Sequence, residues 1–99
     1  MPKMNSLEEL RLRIDSLDRE IAVLFEQRMK ECRAIFEYKE AAGLPVYDPA
    51  REAELIEKNA SVIADAQIRE KYISLEKHIL SLSKEYQKLL AENDKSDKK

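Results

Sequence analysis

An all-α fold of three helices, the first of them long, is the class this sequence predicts. Three observations predict it. One glycine and three prolines in 99 residues leave too few turn residues for a sandwich, a barrel or a hairpin stack. Leu, Glu, Lys, Ala and Arg are abundant, the usage of long helices. Apolar residues recur in alternating steps of three and four over two extended stretches. The length allows one small domain at most.

The first helix begins after Ser6. Ser6-Leu7-Glu8-Glu9 reads as a capping box, in which the Ser hydroxyl and the N3 Glu carboxylate each satisfy the other residue's backbone N–H. Leu7, Leu10, Ile14, Leu17, Ile21 and Leu24 then form one apolar stripe. Glu9/Arg13, Asp15/Arg19 and Glu26/Lys30 add i,i+4 pairs beside it. Nothing breaks the pattern before Gly43, a natural C′ residue, with Pro45 just beyond it. Leu7 to Ala42 is roughly 36 residues and spans about 54 Å as a helix. A compact domain of this length is roughly 34 Å across. The helix would outrun a compact monomer and leave apolar surface in water, and a partner chain is the simplest remedy.

The second helix starts at Asp48-Pro49, an N-cap followed by a proline preset for the first turn. Leu55 and Ile56, with Val62 and Ile63, supply its apolar side. Between Asn59 and Ala66 there is no strong stop signal. The third helix starts near Asp65 and carries Ile68, Tyr72, Leu75, Ile79, Leu82, Tyr86 and Leu89 in a three-four alternation. From Glu92 to Lys99 the chain is almost wholly polar, which predicts a disordered tail after a domain of residues 1–91.

Several function classes are disfavoured. Lys+Arg 18 against Asp+Glu 20 gives a net charge of -2, not the basic excess of a nucleic-acid binder. No apolar run is long enough to cross a bilayer, and residues 1–6 lack a signal peptide's apolar core. One cysteine, Cys32, suits a reducing cytoplasm and reads as a small core hydrophobe. With a single histidine, His78, read as a surface residue, no zinc site and no nucleophilic triad is expected.

The informative positions are those that break the stripe. Continued at the helical repeat, it reaches Arg28, Cys32, Ile35 and Lys39, so two cations sit where apolar residues belong. Arg28 and Lys39 point within about 20° of each other and lie about 16 Å apart along the axis. Two readings are open: both stems snorkel to water, or the pair clasps an anion of metabolite size. Arg11 is roughly 25 Å from Arg28 on the same helix and cannot share a small site with it in one chain; an antiparallel partner can supply a second Arg11. Arg51 and Glu52 read either as a solvated first turn or as a polar wall over that cationic face. Ser83 and Gln87, four apart, share one side of the third helix.

Taken together, these residues resemble the small all-helical class of chorismate mutases. The resemblance runs from about Leu7 to Leu90. It is carried by Leu10-Arg11-x-x-Ile14-Asp15-x-Leu17-Asp18, by Arg28 and Lys39, by Gly43-Leu44-Pro45-Val46-Tyr47-Asp48-Pro49-x-Arg51-Glu52, and by Ser83-x-x-x-Gln87. It implies an intertwined homodimer whose long first helices pair across the two-fold. It also implies the rearrangement of chorismate to prephenate, toward phenylalanine and tyrosine, without metal or cofactor. Arg28 and the partner's Arg11 would clamp the substrate carboxylates. Lys39 and Gln87 would donate to the ether oxygen. Glu52, with the Asp48 region, would fix the ring hydroxyl, and Arg51 and Ser83 would complete the wall. Tyr47 is given no role, and Lys84 and Lys88 are expected to point elsewhere.

Two rivals remain. An isochorismate-pyruvate lyase shares the scaffold and the cations but tends to lack the acidic residue matching Glu52. A helical dimerisation module without chemistry would keep apolar residues at positions 28 and 39.

Overall fold

A computed structural model describes residues 6–97. They form α1 (Leu7–Ala42), α2 (Pro49–Ala60) and α3 (Ala66–Asp97), with no strand among the described residues. Residues 1–5, read for a missing signal peptide, and residues 98–99, the end of the polar tail, lie outside the described residues.

The helix ends are set by local chemistry. At the start of α1 the Ser6 hydroxyl accepts the Glu9 N–H at 3.1 Å and Glu9 accepts the Ser6 N–H at 3.4 Å, the reciprocal box expected from the sequence. At its end Leu44 N–H donates to the Lys39 carbonyl at 2.8 Å and Gly43 N–H to the Glu40 carbonyl at 3.3 Å. Gly43 sits at φ +69, so this is a Schellman turn on a left-handed residue. Asp48 caps α2, its carboxylate accepting the Arg51 N–H at 3.1 Å. Asp65 caps α3 through the N–H groups of Gln67 and Ile68 at 2.9 and 3.1 Å.

The sequence left the end of α2 open; it falls at Ala60. Val62 N–H and Ile63 N–H fold back on the Asn59 and Ala60 carbonyls. This turn throws Val62 outward, 82% exposed, so Val62 does not belong to the apolar side as expected, whereas Ile63 is half-buried. At the other end of the chain α3 continues to Asp97, into the polar stretch read as disordered. No Gly or Pro interrupts residues 92–97, and a helix already begun propagates by one backbone hydrogen bond per added residue without a new nucleus.

The chain forms two units, Met1–Glu31 and Cys32–Lys99. In the first, the stripe Leu7, Leu10, Ile14, Leu17, Ile21 and Leu24 is between 43% and 62% exposed. In the second, α2 packs on α3, and Phe36, Ala60 and Leu80 are buried. The inward face of α3 also holds Glu76 and Ser83, both buried. That face is rotated roughly a quarter turn from the apolar stripe read in the sequence, and Ile68, Leu75 and Leu89 are left exposed.

Glu76 is tolerated inside because Asn59 of α2 donates an amide hydrogen to it at 3.3 Å. Replacing Asn59 by leucine removes this donor and strands a buried carboxylate, which should destabilise the fold by about 1–3 kcal/mol. Urea unfolding of the two proteins, compared at equal slope, measures the difference.

Candidate functional site

The second unit gathers most of the residues singled out in the sequence. Lys39, in the last turn of α1, is half-buried and donates from Nζ to the Val46 carbonyl at 3.3 Å. Its ammonium is thereby held against the loop that joins α1 to α2. Gln87 of α3 is half-buried, and its amide donates to the Cys32 carbonyl at 3.2 Å. An amide carries two N–H donors, so one remains for a ligand. Glu52, in the first turn of α2, pairs with Lys84 Nζ at 3.2 Å.

A cavity of 320 Å³, at the small end of metabolite pockets, is lined by Gln87, by Val46, whose carbonyl holds Lys39, and by Lys84, which pairs with Glu52; Lys39 and Glu52 themselves do not line it. Phe36, Val46, Tyr47 and Ala91 give it apolar walls, and Lys84, Gln87 and Lys88 of α3 complete its lining. Lys84 and Lys88 therefore do not point elsewhere, as the sequence suggested. Lys84 Nζ lies 4.6 Å from the centroid of the Tyr47 ring, which also gives Tyr47 a contact that the sequence did not assign. No one-dimensional signal joins residues 52 and 84; only the packing of α2 on α3 does.

Other candidates are placed less centrally. Ser83 is buried and turns its hydroxyl back to the Ile79 carbonyl at 2.9 Å. The Asp48 carboxylate is engaged as the helix cap. Arg51 is exposed, 4.0 Å from Glu54. Arg11, exposed, and Arg28, half-buried, belong to the first unit. Cys32 is half-buried and His78 exposed.

Among the described residues no three His, Cys, Asp or Glu side chains stand together as a metal-binding group. Nor is any described helix long and apolar enough to cross a membrane.

Comparison with known proteins follows the same residues. Residues 10–88 match the family model for chorismate mutase type II. A bifunctional chorismate mutase/prephenate dehydratase of Aquifex aeolicus is 46% identical over 55 residues, 56% of this chain and 15% of that protein. The T-protein of Haemophilus influenzae is 40% identical over 57 residues, 58% of this chain and 15% of its own length. A 3-dehydroquinate dehydratase of Pyrobaculum aerophilum is 35% identical over 57 residues, 58% of this chain and 19% of that protein. The chain thus matches less than a fifth of each of these relatives. No solved structure matches it. With four-fifths of its length under one family model, and with Lys39, Glu52 and Gln87 drawn into one helical unit, the chain belongs to the chorismate mutase type II family.

Proposed function

We propose that this protein catalyses the Claisen rearrangement of chorismate to prephenate, in the cytoplasm, on the route to phenylalanine and tyrosine. The observation that carries the proposal is the family match over residues 10–88. The placing of Lys39 and Gln87 in the unit that holds Glu52 supports it.

The reaction is an intramolecular pericyclic shift and needs neither nucleophile nor proton shuttle. The protein has to hold a flexible dicarboxylate in its chair-like conformer, which is a matter of proximity and orientation. It also has to stabilise negative charge that grows on the ether oxygen as the C–O bond breaks. Arg28 and the partner's Arg11 serve the first task, because a guanidinium fork meets a carboxylate with two parallel hydrogen bonds. Lys39 and the second N–H of Gln87 serve the other. Glu52, next to the Asp48 cap, accepts from the ring hydroxyl, and Arg51 and Ser83 flank it. No cofactor or metal takes part.

A homodimer belongs to the same proposal. The exposed stripe of α1 is apolar surface that a second copy can remove from water, and a second copy brings the other Arg11. Sedimentation at micromolar concentration should give about twice the 11.6 kDa chain mass; a folded and active monomer would refute the shared site. In the same preparation, chorismate should be consumed to prephenate and isochorismate left unchanged, both followed by absorbance. Release of pyruvate from isochorismate would favour the lyase, against which Glu52 speaks. Inertness toward both would leave a dimerisation module.

A further inference from the structure

Lys84 and Lys88 are charged groups at the cavity that the chemistry above does not use, and Lys84 is the one that pairs with a site residue. Lys84 follows buried Ser83 and precedes Gln87 by three residues on α3. Its single ammonium touches two other segments. Nζ is 3.2 Å from Glu52 Oε1 in the first turn of α2 and 4.6 Å from the centre of the Tyr47 ring in the preceding loop. The side chains of Lys84 and Glu52 are 45% and 24% exposed. An ion pair this open to water adds little to stability and is weakened by salt.

What the pair does fix is direction. A glutamate side chain has three rotatable bonds and two equivalent oxygens. Here Oε1 is occupied by Lys84, which sets the plane of the carboxylate and leaves Oε2 as acceptor. The ring of Tyr47 presents its electron-rich face to the same ammonium. Lys84 also lines the cavity beside Gln87, so the oriented carboxylate and the amide donor stand close to one space.

We infer that Lys84, backed by the Tyr47 ring, is a positioning residue: it holds Glu52 by Oε1 so that Oε2 accepts the ring hydroxyl of the substrate. The inference rests on the proposed mutase reading, in which Glu52 receives that hydroxyl. Because the hydroxyl is not a reacting group, the effect falls on substrate binding, in ground state and transition state alike.

The test is steady-state kinetics of the full chain with chorismate. Absence of turnover by the unaltered protein would defeat the mutase reading itself and is distinguishable from failure of this inference. Given turnover, Lys84→Met should raise KM roughly two- to fivefold with kcat nearly unchanged. Lys84→Arg should recover most of that loss, and Tyr47→Leu should raise KM by a smaller factor. In a Glu52→Gln background, already weakened in KM, Lys84→Met should add no further rise, since its effect passes through the carboxylate. A KM penalty equal in both backgrounds, or an unchanged KM in Lys84→Met, overturns the inference. Melting temperatures of all variants separate a folding defect from the binding effect, and Tyr47→Leu and Lys84→Arg keep the test open if Lys84→Met folds poorly.

Discussion

Replacement of Arg28 by alanine should lower kcat/KM for chorismate by roughly 10²- to 10³-fold, because a substrate carboxylate then enters a desolvated site without its cation. Arg11→Ala should do the same, although the two residues lie 17 positions apart on α1, roughly 25 Å along its axis. The two defects are predicted to complement. Subunits carrying one change each, refolded together, form mixed dimers in which one site has lost both arginines and the other has lost neither. With random assortment half of the dimers are mixed, and about a quarter of the original activity returns. Heterodimers that form and stay inactive would mean that each site is built from one chain.

The second large effect is expected at Gln87. Glutamate in its place keeps the shape but donates only when protonated. An ordinary glutamate titrates near ~4.3; the apolar walls of the cavity push this value up, and Lys84 and Lys88 beside it pull it down. Once ionised, the side chain faces the Cys32 carbonyl that the amide now bonds and repels the charge developing on the ether oxygen. The variant should therefore work best in acid, with kcat/KM falling as pH rises through the glutamate pKa. The unaltered amide has no such loss. Turnover measured from about pH 4 to 8, with that reference titration in view, decides it. Superimposable profiles would place Gln87 away from the breaking bond.

The three helix starts and the end of α1 were plain in the sequence, because caps are local; the ends of α2 and α3 were not. Ser6 with Glu9, Gly43, Asp48-Pro49 and Asp65 act within a few residues of themselves. The sequence announced the inward face of α3 badly. A three-four alternation finds an apolar stripe but not the surface that covers it. In this unit α2 covers the side bearing Glu76 and Ser83, whose partners, Asn59 and the Ile79 carbonyl, no periodicity reveals. The candidate site was legible in the same uneven way. Lys39 stood out as a cation in an apolar stripe, whereas Glu52 and Gln87 were singled out by the family resemblance more than by their own surroundings. Lys84 did not stand out, because a long aliphatic stem lets an ammonium reach well away from the direction of its own Cα.

The turn that ends α1 binds architecture to chemistry. Lys39 lends its carbonyl to the Leu44 N–H of the Schellman turn and its ammonium to the Val46 carbonyl two residues further on. If Lys39 is the group that meets the ether oxygen, the chain's only glycine governs a reacting residue through four residues of backbone. A side chain at Gly43 would meet no steric obstacle, yet the left-handed φ would strain. Relief of that strain would shift the Lys39 carbonyl and its ammonium together. Drift at this position cannot trade folding against turnover, since both decline at once; the turn is therefore a poor starting point for adaptive change and a strong candidate for purifying selection.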